Sequence, residues 1–236
     1  MKVTVLVENS PGPRADLLPE FGLSLLIEAG GLCILLDTGS SGRFAENAQA
    51  LGVDLEDVDW LVLSHGHYDH GGGLDAFFAR NTRAKALVRR GADQPFFGSK
   101  WPSLPSFLQR TGFFTRDIGL NPELFRRHAE RILWVDGDQE PAPGLRLLTH
   151  IPRLVPLARG NRYLLARRDG HYERDDFRHE QLLVVEEAGQ AVIFSGCAHQ
   201  GIVNMLEAAK QDRPERPIRA VVGGFHLNWP RSEKMS

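Results

Sequence analysis

Cysteine is nearly missing from this chain: of 236 residues only Cys33 and Cys197 carry a thiol. Two thiols build no disulfide framework, and a reducing compartment is the simpler setting. Long hydrophobic runs are missing as well, since no window approaches the roughly 18 apolar residues that a membrane span needs. The first residues, MKVTVLVENSPGP, hold one lysine and a short alternating run. They lack the apolar stretch and small-residue cleavage site of a secretory leader. The expected setting is therefore cytoplasmic, with no membrane partner. Charge of one sign is in short supply too. The 28 Lys and Arg against 30 Asp and Glu leave a formal net charge of -2, so no basic field points to nucleic acid. No repeat, low-complexity tract or linker composition divides the chain. What remains, 42% hydrophobic and 25% charged, is the composition of an ordinary globular protein long enough to bury a core.

Lys2–Val7 alternates and is rich in valine, which predicts a strand. Residues 23–28 and 32–36 flank Ala29-Gly30-Gly31, a hairpin pattern with a glycine turn. A helix is expected over 41–51, stopped by Gly52, and a buried strand over 59–64. The glycines of HGHYDHGGG (65–73) argue against regular structure there. A short helix over 74–81 and a strand over 86–88 follow. From 91 to 122 the chain is rich in Gly, Pro and aromatic residues and reads as a long irregular insertion, the kind of segment that serves as a lid. Strands are expected at 132–135, 145–149, 181–186 and 191–195, the last two joined by Ala188-Gly189-Gln190 in a second hairpin. A helix over 201–210 and a strand over 218–222 complete the pattern. The expected architecture is one α+β domain over residues 1–236, two sheets packed face to face with helices on the outer faces.

The densest chemistry lies in His65-Gly66-His67-Tyr68-Asp69-His70. Imidazoles and a carboxylate at this spacing are the usual ligands of first-row metal ions. In an extended loop His65, His67 and Asp69 share one direction and His70 takes another, so one hexapeptide can serve two adjacent ions. Gly66 and the glycines at 71–73 let the backbone turn tightly and come close to an ion. A polar surface loop is the plainer alternative, yet chance assembly of this pattern is on the order of one in a thousand.

SHGHYDHGGGL (64–74) resembles the HxHxDH signature of the metallo-β-lactamase superfamily. Asp37-Thr38-Gly39 resembles the DTG that closes an early strand there. VENS (7–10), FGLS (21–24), GFFTR (112–116), GCAHQGIVN (196–204) and GGFHL (223–227) resemble the branch that includes the dihydropterin-type synthase of methanopterin biosynthesis. Together these motifs run along nearly the whole chain. The resemblance implies an αβ/βα four-layer sandwich with metal at the edge between the sheets. It implies one or two Zn²⁺, with Fe or Mn in some members. It implies that His65 and His67 hold one ion, and Asp69 and His70 the second. His199 would complete the first position, and His226 would join the cluster or touch substrate. Cys197 falls near the place of a bridging carboxylate, where coordination and a small buried side chain are equally open readings. Two departures stand out. Branch members continue past GGFHL, so the last C-terminal elements, and with them the last ligand of the second ion, are expected to be absent, replaced or supplied by a partner chain. His150, in LLTHIPR, stands where the branch has a different polar residue; it is an extra ligand or a solvent-facing side chain.

Other residues carry weaker signals. A lone DTG does not make an aspartic protease, so Asp37 is expected to orient a ligand histidine or to cap a helix. Glu8 and Asn9 reach the site edge or form a turn. Phe96, Phe97, Trp101, Phe107, Phe113 and Phe114 line a pocket for a flat ring or form a satellite core. Arg116 and Arg153 are candidates to clamp a phosphate or carboxylate of the substrate, against a default of solvated surface for these and for Arg110, Arg162, Arg167 and Arg168. His128, His171 and His179 sit among charges and are expected at the surface. The expected function is hydrolysis of a small molecule, phosphorylated compounds included, by a metal-activated water, with Asp69 as the catalytic residue. A homo-oligomer is left open. The rival readings are a carbon–nitrogen bond-forming synthase on a phosphorylated pterin-like precursor, and a truncated, inactive metal-binding scaffold. A di-iron redox protein is weaker, because such relatives carry a carboxylate where His67 stands.

Overall fold

The computed structural model describes residues 1–101, 108 and 111–227. Phe107, Arg110 and the tail after Leu227 lie outside the described residues. Alternating polarity starts the first sheet: β1 (Lys2–Val7) pairs antiparallel with β2 (Ser24–Ala29), and β2 with β3 (Leu32–Leu36). Gly30 and Gly31 close that hairpin with φ of 58° and 80°, which side chains disfavour. β3 then runs parallel to β4 (Trp60–Leu63), β4 to β5 (Lys85–Arg89), and β5 to β8 (Ile132–Val135). Parallel strands covered on both faces read as unbroken apolar runs, and these do. Leu35, Leu61, Leu63 and Val88 pack with Phe44 of α1 (Arg43–Ala50) and Phe77 of α3 (Leu74–Phe78), with the single turn α2 (Tyr68–Gly71) between them in the chain. Leu124 and Phe125 of α4 (Pro122–Arg127) join the same core. On the other face Ile34, Leu36, Val62 and Leu87 meet Leu145, Leu147, Leu183 and Phe194.

Those last residues belong to the second sheet, ordered β15-β14-β13-β10-β9. It comprises β9 (Gln139–Ala142), β10 (Leu145–Leu148), β13 (Leu182–Glu187), β14 (Gln190–Ser195) and β15 (Ile218–Gly223). Ala188 and Gly189, with φ of 51° and 77°, turn β13 into β14. Its outer face packs on α5 (Ile202–Asp212) through Leu182, Val184, Ile193 and Met205. The layers are therefore helix, sheet, sheet, helix, an αβ/βα sandwich of the α+β class. Each fully buried Phe or Leu in these cores contributes roughly 1.5–3 kcal/mol.

Two expectations need correcting. The segment 91–122 is not irregular throughout. It contains β6 (Phe96–Ser99) and β7 (Thr115–Asp117), which join β11 (Leu164–Arg168) and β12 (His171–Arg174) in a third sheet ordered β12-β11-β6-β7. β6 pairs with β11, far along the chain, so local composition carries no sign of it. Phe96, Ile118 and Ala166 form the small core of this sheet. The stretch 65–73 is not irregular either, because Tyr68–Gly71 makes a helical turn. Its glycines serve close packing: a Cβ on Gly72 would lie 2.3 Å from the Ser40 carbonyl oxygen, and one on Gly71 2.6 Å from Leu120 Cδ1. Among the described residues no helix is long and apolar enough to cross a membrane.

Candidate metal centre

Strand ends from both large sheets deliver the polar residues of the site. Asp37 follows β3, Ser64 and His65 follow β4, His179 and Glu180 precede β13, Cys197 and His199 follow β14, and His226 follows β15. Asp37, Ala198 and His226 adopt the left-handed backbone region, with φ of 60°, 51° and 46°. Such residues store on the order of 1–3 kcal/mol each and collect where function constrains the chain. Ser64 and Gly196 bring the two sheets' loops into contact: a Cβ on Gly196 would stand 2.0 Å from Ser64 Oγ.

Hydrogen bonds assign a proton to one nitrogen of His65, His70 and His199. His70 Nδ1 lies 2.6 Å from Asp37 Oδ2. A carboxylate only accepts, so this nitrogen donates. Ser64 Oγ donates to the same Asp37 oxygen at 2.7 Å, which leaves it free to accept from His65 Nδ1 at 2.9 Å. Asn161 Nδ2 donates to the His199 carbonyl, so its Oδ1 is the acceptor facing His199 Nδ1 at 3.2 Å. The opposite nitrogens of His65 and His199 are then lone pairs, while His70 Nε2 lies 3.1 Å from Cys197 Sγ. His199 Nε2 is buried without a hydrogen-bond partner, and so is His67 Nε2.

His67 shows what the arrangement lacks as pure protein. Its Nδ1 lies 3.1 Å from His65 Nε2, and its Nε2 faces Asp175 Oδ2 at 3.7 Å. If Nδ1 holds the proton, Nε2 presents a lone pair to a carboxylate. If Nε2 holds it, two nitrogen lone pairs face each other. A cation between the nitrogens removes the conflict, so the residues fit a divalent ion. The donor atoms agree: His65 with His67 and Asp69, His65 with Cys197 and His199, and Asp69 with His70 and Cys197 each place their ligand atoms within 4.8 Å of one another.

Charge differs across the cluster. Burial, then neighbouring imidazoles, holds His65 and His199 well below the usual histidine range, and burial lowers His67. Burial also acts on His70, but Cys197, Asp37 and Asp69 outweigh it and hold His70 well above that range. Burial pushes the Cys197 thiol up, opposed by His70. Glu180 accepts the N–H groups of His199 and Gln200, both at 2.8 Å, and burial raises it to about 7.

The other candidates separate. The His226 ring stands 4.6 Å from that of His199 and lines a cavity of about 620 Å³ with Asp69, Cys197 and Arg116. Arg153 is not among the cavity residues; it is exposed and donates to the Asp176 carbonyl. His150 has a side chain 80% exposed beside Asp138, away from the cluster. Glu8 and Asn9 line the cavity, and Asn9 Oδ1 also accepts the Gly22 N–H. The cavity's aromatic residues are Phe21, Tyr68 and Phe225. Phe96 is buried instead in the third sheet, and Trp101 stacks on Phe114.

His179 is not at the surface, as its charged surroundings suggested. It is 3% exposed and lies tilted against Phe96, ring centres 3.9 Å apart. His128 is half-buried against Phe78 and bonds Asp75, while His171 is exposed. Sequence reasoning missed Asn161, Asp175 and Glu180 altogether. A signal was present: Asp175, Phe177 and His179 alternate inward while Asp176 and Arg178 turn out, and Phe177 stacks on the His199 ring at 4.7 Å.

Known proteins resemble this chain over most of its length. The family described as the metallo-beta-lactamase superfamily matches residues 17–199. A 7,8-dihydropterin-6-methyl-4-(beta-D-ribofuranosyl)-aminobenzene-5'-phosphate synthase of Methanocaldococcus jannaschii is 28% identical over 251 residues, covering 96% of this chain and 78% of that protein. An uncharacterised protein of the same organism is 24% identical over 227 residues, covering 95% and 79%. A solved structure described as a metal-dependent hydrolase of the beta-lactamase superfamily superposes with a TM-score of 0.75 at 28% identity, covering 98% of this chain and 78% of that one.

Proposed function

The chain belongs to the metallo-β-lactamase superfamily, and from that premise we propose that it is a metal-dependent hydrolase of a small molecule bearing an anionic group. The observation that supports this most is the group of buried imidazole nitrogens of His65, His67 and His199 gathered beside the Asp69 carboxylate at the cavity wall. His65, His67 and His199 would hold one ion, and Asp69, His70 and Cys197 a second. Zinc is the metal proposed, since imidazole, carboxylate and thiolate together suit it. Bound there, a divalent ion would supply Lewis acidity, which lowers the pKa of a water to about 7. Asp69, at the cavity wall, orients the attacking water and takes its proton. Arg116 is exposed on β7 at the same wall, with no ion-pair partner among the described residues, and would bind the substrate's anionic group. Ile118, Leu164 and Phe225 give the rest of the cavity an apolar lining that limits water.

The test is turnover of chromogenic phosphodiesters and carboxylic esters by protein reconstituted with Zn²⁺. Asp69→Ala should lower kcat by about 10²–10⁴-fold, and Arg116→Ala should raise KM for anionic substrates alone. Equal turnover by Asp69→Ala protein defeats the proposal. A second reading, favoured by the 28% identical relative, is carbon–nitrogen bond formation on a phosphorylated pterin-like precursor. Condensation of an aminobenzene ribosyl phosphate with a dihydropterin diphosphate, followed by mass spectrometry without ester or phosphodiester cleavage, would replace the first reading by the second.

A further inference from the structure

Behind the residues that would touch an ion lies a buried relay, and we infer that Asp175 and His179 are positioning residues that set the ring of His67. This rests on the metal reading of the His65, His67 and His199 group. The relay begins at the backbone. The Gly66 N–H donates to His179 Nδ1 at 2.9 Å. That nitrogen is therefore unprotonated, and the proton of a neutral His179 sits on Nε2. His179 Nε2 lies 3.0 Å from Asp175 Oδ2 and donates to it. Asp175 Oδ1 accepts the Phe177 N–H at 2.8 Å. The Asp175 side chain has no solvent exposure, and its Oδ2 faces His67 Nε2 at 3.7 Å.

Each link constrains the next. A buried carboxylate needs donors, and the Phe177 N–H and His179 Nε2–H supply them. A fixed negative oxygen in front of His67 Nε2 favours the tautomer with the proton there. The lone pair of Nδ1 then turns toward His65 Nε2, where an ion would sit. A carboxylate behind a ligand imidazole fixes its orientation and raises its basicity. Gly66 lies between His65 and His67, so the relay also ties His179 to the backbone that carries both. A Cβ on Gly66 would stand 2.4 Å from the Ala92 carbonyl oxygen, so the peptide has little room to shift.

His67, Asp175 and His179 also lie close enough together to suggest ligation of an ion by these three themselves. The bonds argue against it. His179 has one nitrogen accepting from Gly66 and the other donating to Asp175, so neither is free to bind metal.

The experiment uses full-length protein stripped of metal with a chelator, in wild-type, Asp175→Asn and His179→Gln forms. Zn²⁺ affinity is read by competition with a chromogenic chelator, ion number by metal analysis, and ring geometry by the visible spectrum of the Co²⁺ form. Melting of the metal-free protein reports folding. The expected result for Asp175→Asn is a loss of about 10–100-fold in affinity for one ion. The Co²⁺ band should shift, and the number of ions at saturation should stay the same. His179→Gln should move the same readouts in the same direction by less, and it carries the test if Asp175→Asn fails to fold. Wild-type affinity and spectrum in the folded variants would overturn the inference, as would the loss of one whole ion at saturating Zn²⁺. A wild-type protein that binds no Zn²⁺ would instead overturn the metal reading beneath it.

Discussion

The two halves of the cluster are made of opposite materials. His65, His67 and His199 are buried, their ionisation is suppressed, and the partners assigned to their outer nitrogens in two cases are neutral oxygens, Ser64 Oγ and Asn161 Oδ1. His70 sits among Asp37, Asp69 and Cys197, and its ionisation is promoted. The first half is thus a set of imidazoles that burial favours in the neutral form. The second brings negative charge, and without an ion a proton on His70 offsets part of it. A divalent ion needs both services, lone pairs and charge neutralisation, and the fold has divided them between adjacent groups.

The largest test of this division removes a lone pair. His65→Ala should abolish retention of one ion, with an affinity loss beyond the roughly 100-fold seen when a residue only orients a ligand. Metal analysis after dialysis checks it, and equal loss of both ions would mean that the halves act as one. Next comes the charge on the other side. Asp37→Asn removes an acceptor used by His70 Nδ1, Ser64 N and Ser64 Oγ. It should weaken the second ion by about 10–100-fold and destabilise the fold by about 1.5–3 kcal/mol, read by chelator competition and denaturant melts. The smallest effect separates the two thiols. Zn²⁺ should slow alkylation of Cys197 and leave Cys33 unchanged. Burial and the charges of Asp59, Glu28 and Asp57 raise Cys33 from 9.0 to about 11. Its alkylation should therefore be slow at pH 8 and climb towards pH 11. The sign for stability follows: the folded chain holds this proton longer than the unfolded one. The contribution is complete below pH 9 and is lost as the pH rises through 11.

The sequence made one half of the site far more legible than its supports. His65 to His70 stood out because their density within one loop is improbable by chance, and the fold gathers their side chains into one cluster. The αβ/βα layering followed from apolar runs at the strands, and from motifs whose order resembles a known family. Asp37 could be read only as one of two roles, and the structure shows it holding the His70 imidazole rather than capping a helix. Asp175 and His179 stayed hidden because DDFRHE looks like solvated charge. Their burial depends on Phe177 anchoring against His199, a contact between segments distant in the chain. β6 was concealed for the same reason: a Gly-rich and Pro-rich stretch becomes a strand only when its partner β11 arrives.

The contact between Gly196 and Ser64 Oγ acts as a spacer of fixed width. One side belongs to the loop carrying His65, the other to the loop carrying Cys197 and His199, and no methyl group fits between them. The gap across which an ion would be gripped is therefore set by hard-sphere repulsion. Selection among ions would then be a matter of radius: one too large would have to part the two sheets at their seam, and one too small would leave a ligand out of reach.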